Sequence, residues 1–137
     1  MRFIYLDTSA ALKLFKEESE SAALKAWLST QGSATVLTCD LTRTEVRRAL
    51  HAAGAGPDVA AEAEEWLDAS ALVRMPPLLF DRAGQLSPGN RLRPLGALHL
   101  TAAQGLGKAL ISFVVYDKRL VESARELGLP VACPGAG

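Results

Sequence analysis

The chain has 137 residues, 49% of them apolar, which excludes an intrinsically disordered polymer. That length suits one ordinary domain whose folding withdraws about two-thirds of the unfolded chain's surface from water, enough for a core without covalent staples. Lys plus Arg and Asp plus Glu both number 15, so no global positive field exists and a polyanion must be met by a local patch.

The first elements follow from short apolar runs and the residues that punctuate them. Phe3 to Leu6 reads as a buried strand ended by Asp7. Thr8 or Ser9 is the expected cap of a helix carrying Ala10, Ala11, Leu12, Leu14 and Phe15. Ala23, Leu24, Trp27 and Leu28 mark a second helix, broken by Gly32, and Thr35 to Thr38 a second strand. Val46, Ala49, Leu50 and Ala53 repeat at helical spacing and stop at Gly54-Ala55-Gly56-Pro57.

Farther on, Val59, Ala60, Ala63, Trp66 and Leu67 form a fourth helical stripe, and Ala71 to Val73 a strand. A short helix is expected around Leu78 to Leu86, then a turn at Ser87-Pro88-Gly89-Asn90. Pro94 suits the first turn of a helix that buries Leu95, Leu98 and Ala102. Leu110 to Tyr116 is the strongest strand signal. Asp117 opens a last helix, Gly128 ends it, and Pro130 to Cys133 adds an edge strand. Strands alternating with helices predict an α/β three-layer sandwich: a parallel sheet of four to five strands with helices on both faces. One domain, residues 1–137, is expected, its tail from Pro134 to Gly137 frayed.

Cys39 and Cys133 lie far apart and in no Cys-x-x-Cys, which reads as two reduced thiols. The opening apolar run is too short for a secretory leader, and no stretch nears the ~20 apolar residues of a membrane span. A cytoplasmic protein with no membrane partner is expected.

Two predicted strands end alike, in Tyr5-Leu6-Asp7 and Val115-Tyr116-Asp117. Ligands of open parallel sheets bind outside the carboxyl ends of the strands, so both carboxylates belong on the functional edge, although each can equally be a helix cap. Glu45, near the start of the third helix, is the third candidate; its plainer role is a solvated first-turn acid favoured by the helix dipole. Three carboxylates at ~5 Å and an effective dielectric of ~20 repel by roughly 3 kcal/mol per pair. Such a cluster must bind a cation or take up protons, and hard oxygen donors select Mg²⁺ or Mn²⁺.

Asp7-Thr8-Ser9-Ala10, then Leu41 to Leu50 around Glu45, then Leu92-Arg93-Pro94-Leu95-Gly96-Ala97-Leu98-His99 with Leu100 to Ala103, and last Val115-Tyr116-Asp117-Lys118-Arg119-Leu120 occur in that order. Together they resemble the motifs of PIN-domain ribonucleases, and among these the VapC toxins of bacterial toxin–antitoxin pairs. The resemblance spans nearly the whole chain. It implies a Mg²⁺-dependent endoribonuclease that cleaves RNA by hydrolysis, leaving a 5′-phosphate, and that forms a homodimer held in check by a VapB-type antitoxin. Asp7, Glu45 and Asp117 match the family's catalytic and metal-holding acids. Thr8 or Ser9 matches the hydroxyl beside the first acid.

The remaining family acid belongs where this chain has Gly96. The departure implies impaired activity, or a catalytically inactive module that binds RNA or antitoxin. A helical glycine costs up to about 1 kcal/mol relative to Ala and no turn is needed there, so the sequence offers no local reason for it. His99 lies on the apolar stripe of its helix, as a core histidine bonded to a neighbour or as a contact to the acids or substrate. Arg48, one turn after Glu45, is placed to orient that carboxylate or meet a phosphate. Arg91, Arg93, Lys108, Lys118 and Arg119 are candidates for an RNA path, and Trp27 and Trp66 for core or dimer contacts. A phosphatase with a strand-end aspartyl nucleophile is the rival enzyme, but Ser9 stands where it needs a second Asp.

Overall fold

Apolar runs of three to five residues, each followed by a helix-forming stretch, can bury both sides of a sheet only between two helical layers. The computed structural model describes residues 1–86 and 92–136 and has that arrangement. Strands β1 (Phe3–Leu6), β2 (Thr35–Cys39), β3 (Ala71–Val73), β4 (Leu110–Val114) and β5 (Val131–Ala132) form a sheet in the order β3-β2-β1-β4-β5. Its pairings are all parallel. The helices are α1 (Thr8–Leu12), α2 (Ser21–Ser29), α3 (Leu41–Ala52), α4 (Pro57–Ala69), α5 (Pro77–Gly84), α6 (Pro94–Gln104) and α7 (Lys118–Glu126).

Side-chain alternation along the strands sorts the core into two halves. Tyr5, Leu37, Cys39, Phe113 and Val115 pack with Leu100, Ala103, Leu120 and Ala124 of α6 and α7. Ile4, Leu6 and Val114 face the other way, against Leu24, Val46, Leu50 and Ala63 of α2, α3 and α4. Trp27 and Trp66 border that second half, with Trp66 edge-on to Phe15 at 5.7 Å between ring centres. Both cysteines are free thiols. Among the described residues no helix is long and apolar enough to cross a membrane.

Several boundaries differ from those expected. Asp7 caps α1 in place of Thr8 or Ser9, because its carboxylate accepts the Ala10 N–H. Helix α3 begins at Leu41, so Glu45 sits in the second turn and owes nothing to first-turn charge complementarity. Strand β4 stops at Val114, since its outer partner β5 is only two residues long. The tail expected to fray is tied down through residue 136: the Tyr116 hydroxyl donates to the Pro134 carbonyl at 2.8 Å, and Gly135 packs on Ala23 so closely that a Cβ would clash. The turn expected at Ser87 to Asn90, like Arg91 and Gly137, lies outside the described residues.

Candidate active site

Neighbouring strands bring the acids together. β1 and β4 pair with Leu6 opposite Val114, so Asp7 follows directly at the carboxyl edge and Asp117 three residues beyond the end of β4. β2 flanks β1 on its other side and leads into α3, which carries Glu45. The chain leaves β1 toward β2 on one flank while β4 lies on the other, the type of switch point where parallel sheets bind ligands. A cavity of about 530 Å³ opens there; Asp7, Thr8, Ser9, Glu45, His99, Asp117 and Arg119 line one side, and Leu92, Arg93, Pro94, Leu95, Gly96 and Leu120 the rest.

Each acid spends an oxygen on the fold. Asp7 Oδ1 accepts the Ala10 N–H at 2.9 Å and the Ser9 hydroxyl at 2.6 Å, and Ser9 Oγ in turn accepts the Tyr116 N–H. Asp117 Oδ1 accepts the Leu120 N–H at 3.0 Å, capping α7. The two strand-end aspartates are therefore helix caps and cavity residues at once. Glu45 Oε1 accepts from the Thr8 hydroxyl and from His99 Nε2 at 2.9 Å. His99 is 3% exposed, and its Nδ1 lies 2.8 Å from the Tyr5 hydroxyl. The histidine is thus buried and in contact with Glu45 at once.

The electrostatics follow from this packing. Burial raises the Asp7 carboxyl above its ordinary range and Glu45 adds to the rise, while His99, Ser9 and the Ala10 amide oppose it. Burial also acts to raise Glu45, but the His99 and Thr8 hydrogen bonds and the His99 charge outweigh it and lower the group. For His99, burial pulls downward, yet the bonds to Cys39 and Glu45 and the charges of Cys39 and Asp7 push it up to about 10.

The lining donors are carboxylate and hydroxyl oxygens and the His99 imidazole, whose nitrogens are already hydrogen-bonded, so the free donors are hard oxygens of the kind Mg²⁺ or Mn²⁺ takes. Among the described residues no three His, Cys, Asp or Glu side chains lie close enough to form a ready-made coordination set. Mg²⁺ tolerates such openness, because it keeps several waters and needs one or two carboxylates plus substrate phosphate. Asp7, Glu45 and Asp117 could hold a metal only in an open site of that kind, with water and substrate completing it.

Gly96 lines the cavity in the first turn of α6 but is not packed as if an acid had simply been removed. A Cβ there would lie 3.1 Å from Leu120 Cδ1 and 3.4 Å from Leu92 Cδ1. To admit a Cβ the Leu120 methyl would have to give by a few tenths of an ångström, while Leu92 would stand in ordinary contact. Arg48 is exposed and away from the cavity lining; Thr8 and His99 do the orienting expected of it. Arg93 and Arg119 line the cavity, Lys118 does not, and Lys108 precedes β4 and so lies at the opposite edge of the sheet. Sequence reasoning missed Tyr5 and Leu120. A tyrosine two residues before Asp7 in an otherwise apolar strand was the available signal, because period-two alternation puts both on one face.

Comparison with known proteins agrees with this architecture. The PIN domain family model matches residues 4–126. Ribonuclease VapC46 of Mycobacterium tuberculosis (strain ATCC 25618 / H37Rv) is 40% identical over 135 residues, covering 98% of this chain and 99% of the relative. Ribonuclease VapC47 of Mycobacterium tuberculosis (strain CDC 1551 / Oshkosh) is 36% identical over 135 residues, covering 97% and 98%. The crystal structure of Mycobacterium tuberculosis VapC20, a toxin described as cleaving the sarcin-ricin loop, superposes with a TM-score of 0.77. It covers 96% of this chain and 99% of its own at 14% identity, a likeness of fold. The chain belongs to the PIN-domain family and, within it, to the VapC ribonucleases.

Proposed function

We propose that this chain is the toxin of a toxin–antitoxin pair, an endoribonuclease that hydrolyses RNA phosphodiester bonds with Mg²⁺ or Mn²⁺ and is weakened by Gly96. The observation that carries the reading is the convergence of Asp7, Glu45 and Asp117 on one cavity that also holds Arg119, in a chain whose curated relatives are named ribonucleases. Asp7, Asp117 and Glu45 would hold the metal, which when bound lowers the pKa of water and offsets charge developing on phosphorus. Thr8 and His99 fix the Glu45 carboxylate, and Ser9 fixes that of Asp7. Arg119 and Arg93, at the cavity wall, are suited to phosphate oxygens. A neighbouring VapB-type antitoxin is the proposed partner, and the exposed Leu78 and Phe80 of α5 with Leu95 of α6 support a homodimer.

Cleavage of a fluorogenic RNA, measured with Mg²⁺ and with EDTA for the unmodified chain and for Asp7→Asn, tests the reading. The expected result is weak cleavage that either EDTA or the substitution abolishes. The packing of Leu120 and Leu92 over position 96 favours a second reading, a PIN fold that binds RNA or antitoxin without cutting. RNA binding with no cleavage at any Mg²⁺ or Mn²⁺ concentration would select it.

A further inference from the structure

Beneath the cavity a hydrogen-bonded chain descends into the core. The Tyr5 hydroxyl meets His99 Nδ1 at 2.8 Å, and His99 Nε2 meets Glu45 Oε1 at 2.9 Å. Tyr5 is fully buried, its ring stacked on Phe113 at 5.4 Å and edge-on to His99 at 5.9 Å between centres. Glu45 Oε1 has a second donor in Thr8, whose Oγ1 lies 3.3 Å from Thr42 Oγ1, itself 2.7 Å from Thr38 Oγ1. No buried side-chain nitrogen or oxygen among the described residues lacks a partner, so the network is closed and its geometry over-determined.

We infer that Tyr5 is a positioning residue: its buried hydroxyl sets the His99 ring so that Nε2–H is held on Glu45 Oε1, leaving Oε2 to act in the cavity. The hydroxyl fixes the orientation of the ring in either charge state, and the position of its proton when the ring is neutral. If the imidazole is neutral, Nδ1 accepts the Tyr5 O–H and the single proton must reside on Nε2. If it is cationic, both nitrogens donate, Nδ1 to the Tyr5 oxygen and Nε2 to Glu45. Without that hydroxyl, the neutral ring can place its proton on Nδ1 and turn a lone pair toward the carboxylate. Partners of this kind, one bond behind a metal-holding group, change metal affinity by about 10–100-fold.

The inference rests on Glu45 acting as proposed above, so the test separates the two. In the metal-free chain with ¹⁵N-labelled histidine, His99 Nε2–H should give a downfield proton resonance protected from exchange. Tyr5→Phe, which keeps the ring and its packing, should erase it or speed its exchange at least tenfold. Mn²⁺ titration followed by electron paramagnetic resonance should then show about 10-fold or weaker binding for Tyr5→Phe and for His99→Asn, which reaches only the Nδ1 position. His99→Gln, whose amide reaches the Nε2 position, should stay within about threefold of the unmodified chain. A protected resonance and Mn²⁺ affinity unchanged in Tyr5→Phe would overturn the role of Tyr5, and equal binding by the Asn and Gln variants would overturn that of the His99 Nε2–H on which it acts. Failure of the unmodified chain to bind Mn²⁺ would instead sink the metal reading, and the resonance alone would then decide the inference.

Discussion

Restoring an acid at position 96 sets four effects of similar size against one another. Leaving glycine in a helix gains up to about 1 kcal/mol, and an acid in the first turn of α6 gains about 0.3–1 kcal/mol more. Against this, the new Cβ meets Leu120 Cδ1 at 3.1 Å and Leu92 Cδ1 at 3.4 Å. Overpacking costs about 1–3 kcal/mol in a rigid core, and the low end applies here because Leu120 borders the open cavity and its methyl can yield toward it. Gly96→Ala should therefore lie within about 1 kcal/mol of neutral. Gly96→Asp adds a carboxylate to a cavity holding Asp7 and Glu45, and a like-charge pair at ~6 Å repels by roughly 3 kcal/mol at an effective dielectric of ~20. In EDTA the Asp variant should thus be the less stable of the two, and millimolar Mn²⁺ should reverse their order. Urea unfolding with and without Mn²⁺ measures this, and cleavage of a fluorogenic RNA should rise at least ~10-fold over Gly96→Ala. If Asp and Ala at 96 show the same Mn²⁺ response and the same cleavage, the fourth acid is not what limits this chain.

Asp7→Asn should remove the Mn²⁺-dependent rise in melting temperature, which for a ligand at 100 times its Kd corresponds to about 2.7 kcal/mol in the unmodified chain; an undiminished rise would place the metal elsewhere. Leu120→Ala should cost about 2–3 kcal/mol in urea unfolding, the lower half of the usual range because its cavity side can relax. Combined with Gly96→Asp, it should cost less than the sum of the single effects, since the leucine methyl is what the added carbon meets. In EDTA, the stabilisation linked to His99, raised from 6.5 to about 10, should be complete below pH 6.5 and fade as pH climbs toward 10. Glu45 is lowered from 4.5, so its share is present above pH 4.5 and is lost as pH falls through its folded value. A stability difference between the unmodified chain and His99→Gln that does not shrink between pH 6.5 and 10 would contradict this.

Legibility in the sequence tracked how local each determinant is. Strand-ending aspartates and helical stripes depend on a few neighbours, so the parallel sheet and the place of Asp7 and Asp117 at its carboxyl edge could be read directly. Glu45 lines the cavity from the second turn of α3, a position the sequence does not show locally, because the start of α3 at Leu41 depends on where β2 ends. Two partners of His99, Thr8 and Tyr5, lie 91 and 94 positions earlier in the chain, and no periodicity reports such a contact. The packing at Gly96 was equally hidden, because Leu120 reaches it from a different helix. Lys108 was the avoidable error: a residue preceding a parallel strand cannot stand at that strand's carboxyl edge.

Because one oxygen of Asp7 and of Asp117 ends a helix, amino-acid exchanges at these positions separate into two kinds. Asparagine keeps an acceptor for the backbone amide and is as good a cap as aspartate, so it can silence the chemistry while preserving surface shape. Alanine discards the cap as well, at a typical ~1 kcal/mol, and confounds a dead site with a loosened one. A non-toxic stand-in for isolating the partner protein should therefore carry Asn at both positions. In a scan of all substitutions, Asn at 7 and 117 should stand out by combining wild-type abundance with complete relief of growth arrest.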